Sequence, residues 1–438
     1  MLDRFFGLEA HGTSVRIELL AGFTTFLTMI YIVVVNPLIM GDAGMPVGAV
    51  AIGTCLAAAV GCLLMGLLAN TPLALAPGMG LNAYFTYTVV KGMGVQWETA
   101  LGCVFISGAA FFVLTAVGAR QLIVNAIPRS LFSAVAGGIG LFIAFIGLKD
   151  AGIVIANPAT TVSLGDLTSP GALVAILGLL VIGVLTAGKV RAAMLIGILV
   201  AATAGWLLGL THAPGPPLGL GDISATAFKL DVPGALGLRG NLAATVAEII
   251  FVFLFVDLFD NVGTLVAVTK RAGLVAADGA IPRLNRILFA DSIAAMFGAL
   301  MGVSTVTSYI ESAAGVAAGG RTGLTSVVVG LLFLVAIFVA PAVALIPTAA
   351  TAPALILVGA LMAGALAEVE WADPVVAIPA FLTMISIPLT YSIANGLAFG
   401  IVSYALLTLF TGRAQAKDWL VYVLAALFVL RFVYLSKG

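Results

Sequence analysis

Apolar stretches of about 20 residues, the length an α-helix needs to cross the hydrocarbon of a bilayer, recur from near residue 18 almost to the end of this chain. Within lipid every backbone N–H and C=O must find its partner inside the protein, which an α-helix achieves within itself. Of 438 residues, 62% are hydrophobic and 9% charged, against about a quarter charged in a soluble domain. The expected fold class is therefore an all-α polytopic membrane protein. Spans fall near 18–37, 48–69, 72–90, 98–118, 130–148, 171–187, 191–210, 242–268, 286–303, 305–319, 323–341, 350–367, 373–389 and 393–411, fourteen in all. A further apolar stretch, 418–435, begins at Asp418-Trp419 and carries Arg431. It reads either as another crossing or as an amphipathic helix at the interface.

The basic residues choose an orientation. With both ends of the fourteen-span bundle in the cytoplasm, fifteen of the nineteen Lys and Arg fall inside, and only Lys91, Lys149, Lys229 and Arg239 fall outside. That bias is the one membrane insertion favours, and it places the chain in a cytoplasmic (inner or plasma) membrane. Zero net charge and the lack of a basic block argue against a nucleic-acid partner. Cys55, Cys62 and Cys103 sit inside apolar runs without ligand or disulfide spacing, so they read as packing residues. No metal site is expected. Asp3, Arg4 and Glu9 precede the first apolar run with no cleavage pattern, and no signal peptide is expected.

Sliding the chain on itself by 232 residues lays Phe23–Thr28 over Phe255–Asp260, Met65-Gly66 over Phe297-Gly298, and Pro77–Asn82 over Tyr309–Ala314. At an offset of 219, Ile127-Pro128 falls on Ile346-Pro347 and Gly140 on Gly359. Apolar segments resemble one another by composition alone, but here the unusual segments coincide. Seven spans per half is an odd number, so the halves are inverted. Such 7+7 inverted repeats are an architecture of secondary transporters, with solute held near the midplane by discontinuous helices.

Three spans carry polar chemistry. Span eight reads Phe255-Val256-Asp257-Leu258-Phe259-Asp260-Asn261-Val262-Gly263-Thr264. The spacing of Asp257, Asp260 and Thr264 puts all three on one helical face. Two carboxylates at that depth are costly and mark function unless they tie helices together. Glu248, nine residues before Asp257, points elsewhere and reads as interfacial or packing. Span ten, Ser304–Gly315, surrounds Glu311 with hydroxyls and small residues. It is expected to be broken, with a half-helix after Glu311 offering free N–H groups. Its glycines also suit plain helix packing, which leaves the glutamate unexplained. In span three, Ala76-Pro77-Gly78-Met79-Gly80-Leu81-Asn82 breaks the helix and sets Asn82 beside the break.

A pocket of carboxylates, amides, hydroxyls and aromatic rings without Lys or Arg would repel an anion. It suits a flat heterocycle whose ring and exocyclic N–H groups donate to the acids. Burial and mutual repulsion leave a carboxyl able to exchange a proton near neutral pH, so proton symport is expected, with no other cofactor.

At these motifs the sequence resembles the adenine/guanine/hypoxanthine permeases, the AzgA-like branch of the nucleobase–cation symporters related to the nucleobase–ascorbate transporters. The resemblance runs from Phe23–Met29 through Asn36-Pro37 to about residue 411, and Ala76–Tyr84 and Thr307–Gly323 are its most specific stretches. It implies a purine base as solute and a core–gate division. The core is 1–119 (spans one to four) with 241–345 (eight to eleven). The gate is 120–240 (five to seven and a loop) with 346–438 (twelve to fourteen and the C-terminal segment). It further implies that Asp260 and Glu311 bind the solute, with Asn82, Thr28, Thr264 and Ser312 around it. Asp257 and Glu311 would couple the proton, and the assembly would be a homodimer in membrane lipid. The wider superfamily often has Asn after the span-ten acid; here Ser312 stands there, with an additional Ala before Gly315. A pyrimidine or xanthine carrier of the same fold and a sulfate-type anion permease are rival readings. An intramembrane aspartic protease would need acids on separate helices, whereas Asp257 and Asp260 share one. His11 and His212, in terminal or loop segments, offer no buried base, so no enzyme is expected.

Overall fold

Several of the apolar helices begin at a side chain that satisfies an otherwise orphaned N–H of the first turn. Ser14 accepts from Ile17 N–H, Ser169 from Ala172 N–H, Asp373 from Val375 N–H and Ser392 from Asn395 N–H. Pro170 and Pro374 occupy the first helical position, where proline costs nothing. The computed structural model describes residues 2–118, 128–210, 220–238, 243–274, 281–415 and 418–435. Arg120, Ile127, His212, Arg239, Lys417 and Lys437 lie outside these.

The first half comprises α1 (Leu2–Phe6), α2 (Val15–Met29), α3 (Ile32–Gly41), α4 (Val47–Leu64), β1 (Leu75–Pro77), α5 (Met79–Ala83) and α6 (Trp97–Ala116). It continues with α7 (Arg129–Asp150), β2 (Val154–Asn157), β3 (Thr161–Leu164), α8 (Pro170–Ala187) and α9 (Ala193–Leu207). The second half comprises α10 (Ala243–Arg271), α11 (Leu284–Leu300), β4 (Val306–Ser308), α12 (Ser312–Ala317), α13 (Gly323–Ala336), α14 (Thr348–Ala363), α15 (Pro374–Thr390), α16 (Ile393–Phe410) and α17 (Trp419–Leu435). Among the described residues, eight helical runs are long and apolar enough to cross a membrane. Each of the fourteen expected spans coincides with a helix or an interrupted one.

Spans three and ten are the interrupted ones, as their composition predicts. Each enters as a three-residue strand and continues as a helix, α5 running on through wider turns over Tyr84–Gly92. The strands pair antiparallel, Leu75 with Ser308, Ala76 with Thr307 and Pro77 with Val306. The middle pair, Ala76 and Thr307, lies 231 residues apart, one short of the offset read from the sequence. The inverted repeat is therefore physical at this point: one break satisfies the other. Span one is jointed as well, α2 giving way to α3 at Ile30-Tyr31, ahead of Pro37.

By packing, the chain divides into two compact units, Met1–Val113 with Gly147–Leu355 and Leu114–Ile146 with Ile356–Gly438. The first holds both broken spans together with α8 and α9. In the second, Gly140 and Gly359 lie backbone to backbone. A Cβ on Gly140 would stand 2.6 Å from the Gly359 carbonyl oxygen, and one on Gly359 2.3 Å from that of Gly140. These are the two glycines that the 219-residue offset superposes.

Two features differ from a purely helical expectation or resolve it. Val154–Asn157 and Thr161–Leu164 form a two-stranded hairpin between spans five and six, where β-branched residues follow the end of α7. The 418–435 segment is a helix, α17, lying antiparallel along α16. Tyr422 Oη is 3.0 Å from Thr408 Oγ1, and Arg431 donates to Asn395 Oδ1 at 3.0 Å. Its outer residues, including Trp419, Val423, Leu427 and Leu430, are apolar. The charged face of an interfacial helix is missing, so α17 is a companion of α16.

Replacing Gly359 by Leu is expected to lower unfolding stability in detergent by about 2 kcal/mol or more, as overpacking does. A melting temperature equal to wild type would show that the Gly140–Gly359 contact is looser than described.

Candidate functional site

The two breaks meet inside the first unit, and their backbones are sewn together beyond the strand pairs. Gly78 N–H donates to Thr305 O at 2.9 Å, and Tyr309 N–H to Ala74 O at 2.9 Å. Tyr309 Oη donates to Pro77 O at 2.5 Å, and Ser312 Oγ accepts from Ala74 N–H at 2.9 Å. Gly78 is required by close approach: a Cβ there would lie 2.7 Å from Thr307 Cγ2 and 3.6 Å from Asp260 Oδ2. The same measurement brings span eight to the break in span three.

Asp260 and Glu311 are partly exposed, whereas Asp257, Asn261, Asn82 and Ser312 are buried and Thr264 nearly so. Asp260 lies within electrostatic reach of Glu311 and of Asp291, a buried acid on α11. Glu311 accepts a hydrogen bond from Tyr31 Oη at 2.7 Å. Asn82 Oδ1 accepts from Ser304 Oγ, while its Nδ2 is buried without an acceptor among the described residues. Asn261 repeats the pattern, its Oδ1 accepting from Ser308 at 3.1 Å and its Nδ2 left over. Buried amide donors of this kind await an acceptor. Among the described residues neither Asp260 nor Glu311 has a Lys or Arg partner.

The free amides lie on the other broken span from the one expected. At α12 the N–H groups of Ser312, Ala313 and Ala314 donate to the carbonyls of Tyr309, Ile310 and Glu311. The tight turn over 309–314 thus engages the first three N–H groups of the half-helix. At α5 the first helical bond is Asn82 N–H to Gly78 O, 2.8 Å. Met79, Gly80 and Leu81 precede it, and their N–H groups have no helical carbonyl to meet.

The remaining sequence candidates sort by their bonds. Thr28 is half-buried, and its hydroxyl donates to Thr25 O at 2.7 Å on its own helix, which leaves its oxygen free to accept. Ser312 is bound to the β1 backbone. Glu248 is half-buried near the start of α10. Arg321, past the end of α12, donates to Val316 O at 2.7 Å and Gly320 O at 2.8 Å, a cation at a helix C-terminus.

Four residues escaped sequence reasoning. Tyr31 and Tyr309 carried no signal, since single tyrosines in apolar spans are ordinary. Asp291 did carry one, an acid eight residues into an apolar helix, equal in kind to that of Asp260. Glu18, wholly buried, accepts from Arg321 N–H, Thr322 N–H, Thr325 N–H and Thr325 Oγ1 at 2.6–3.3 Å. It caps the start of α13 and stands apart from the site.

Two interrupted spans crossing strand to strand, with acids at the breaks of a multi-pass helical bundle, define a membrane permease. The chain belongs to the Permease family, whose profile matches residues 16–431. It is 46% identical over 436 residues to adenine permease AdeP of Escherichia coli, covering 100% of this chain and 97% of that one. It is 44% identical over 444 residues to guanine/hypoxanthine permease PbuG of Bacillus subtilis, covering 99% and 100%. Among solved structures, the transmembrane domain of the cyanobacterium bicarbonate transporter BicA matches with a TM-score of 0.61 at 15% identity, covering 94% of this chain and 97% of that one. That likeness is one of fold.

Because Ser312 holds the Ala74 amide, Ser312→Ala is expected to destabilise the protein by about 1–2 kcal/mol, the cost of a buried donor left unsatisfied. Thermal unfolding in detergent checks this, and an unchanged midpoint would free Ser312 for a direct role in binding.

Proposed function

We propose that this chain imports purine nucleobases, adenine or guanine and hypoxanthine, across the cytoplasmic membrane by proton symport with alternating access. The observation that carries the proposal is the full-length similarity to permeases named for those bases, together with two partly exposed acids at the breaks that lack basic partners among the described residues. In this reading the N–H groups of the base donate to Asp260 and Glu311. The idle Nδ2 of Asn82 and the amides of Met79–Leu81 donate to ring nitrogens or a carbonyl oxygen. Both kinds of donor and acceptor are needed, because a purine edge offers both. An anion would find amides on one side but two carboxylates on the other, and those repel it.

The proton enters through the same acids. A carboxyl among other carboxyls, in a setting of low dielectric, exchanges a proton more easily than it carries a lasting charge. Protonation from outside and release inside would then drive the base inward without a further cofactor. Asp257, one turn from Asp260 and buried, is assigned to coupling. Spans one to four and eight to eleven serve as the core that holds the base, with both ends of the fourteen-span bundle in the cytoplasm. The reading involves no bond-making chemistry.

The test is uptake of labelled adenine and hypoxanthine in cells lacking their own carriers, with unlabelled uracil, xanthine and sulfate as competitors. Purines are expected to compete and sulfate to have no effect. Competition by sulfate but by no purine would overturn the reading. At fixed external pH a protonophore is expected to stop uptake, and uptake that survives it would remove the proton as coupling ion. Glu311→Gln is expected to reduce uptake by about 10- to 100-fold, the worth of a hydrogen bond to a charged group, with the protein still in the membrane.

A further inference from the structure

Glu311 stands at the residue before α12, the place where a side chain ordinarily turns back to cap its own helix. It does not do so. The amides it would cap are already bonded within the 309–314 turn, and its carboxylate instead receives Tyr31 Oη at 2.7 Å. Tyr31 comes from the opposite half of the chain, 280 residues away, at the joint between α2 and α3. Its exposure is 1%, so the hydroxyl has no water to fall back on and the bond fixes both partners. The site is thus closed by a contact between the two inverted halves other than the strand pairing.

We propose that Tyr31 is a positioning residue of the solute site, holding the Glu311 carboxylate in place and setting how readily that acid exchanges its proton. The proposal rests on the reading of Glu311 as a solute and proton group, but not on which solute it binds. A donor fixed on a carboxylate stabilises the ionised form relative to the protonated one. The other titratable groups facing Glu311 are Tyr309, on the same turn, and Asp260, on α10, with Asp291 of α11 behind Asp260. Tyr309 is already donating to Pro77 O, and the two aspartates are acids. Beside the backbone N–H of Glu311 itself, Tyr31 is therefore the side-chain donor that distinguishes Glu311 from Asp260. A displacement of span one against α12 would lengthen this bond, so the joint at Ile30-Tyr31 links the geometry of the break to the proton.

The experiment reads Glu311 directly, without solute. In purified protein the protonated-carboxyl stretch that is absent from Glu311→Gln is followed by infrared difference spectroscopy as pH is varied. Tyr31→Phe keeps the ring and removes the donor. It is expected to move the midpoint of that band to higher pH by about one unit, the consequence of losing a charge-assisted hydrogen bond. The pH profile of purine uptake is expected to move in the same direction. A midpoint equal to wild type in a folded Tyr31→Phe protein would overturn the proposal, even if uptake fell, because a purely structural role lowers uptake at every pH alike. Should Tyr31→Phe not fold, biosynthetic replacement of tyrosine by the more acidic 3-fluorotyrosine is expected to move the same band to lower pH, and no movement overturns the proposal equally. If the band behaves as expected but wild type takes up no purine, the assignment of the solute fails and that of Tyr31 stands.

Discussion

Everything at the centre of this protein follows from one constraint: a helix broken inside a membrane strands backbone N–H and C=O groups that no water can reach. The chain meets it by breaking two helices at matching depths and pairing the exposed backbones as strands. Leu75–Pro77 and Val306–Ser308 supply the ladder, and Gly78, Ala74, Tyr309 and Ser312 extend it. Neither break is tolerable alone. The inverted repeat is thus more than a symmetry of origin, because each half supplies what the other lacks.

With the backbone settled, the leftover polarity is what can serve a solute. It is unequal on the two sides. Span three contributes amide donors, from Met79–Leu81 and from Asn82 Nδ2, whereas span ten contributes a carboxylate whose neighbouring amides are engaged. Span eight brings Asp260 against Gly78, where a side chain would obstruct it. In the proposed reading, donors and acceptors side by side suit a heterocycle with mixed edges better than they suit an ion of either sign. Glu18 shows the contrast: an acid more deeply buried, but met by four donors and tied to the start of α13.

Much of this is legible in the sequence alone. The depth of Asp260 and Glu311 in apolar spans, and the Pro-Gly cluster ahead of Asn82, point to the site because charge and broken backbone are expensive in lipid. The glycines superposed by the 219-residue offset do meet. What was not legible depends on where chains turn. That the 309–314 turn would close on its own amides, moving the free donors to α5, is decided by local dihedral angles and not by residue type. Tyr31 was invisible for a related reason: a lone tyrosine gains meaning only once its hydroxyl is seen to reach a residue 280 positions away. Asp291 was readable by the same rule as Asp260, an acid inside an apolar helix.

The most direct test of the claim that the paired breaks form the binding site is photoaffinity labelling of the purified protein with an azidopurine, followed by peptide mapping. The account predicts label on the stretches 76–85 and 304–312, displaced by unlabelled purine. Displaceable label confined to the second unit, or to the 154–164 hairpin, would contradict it.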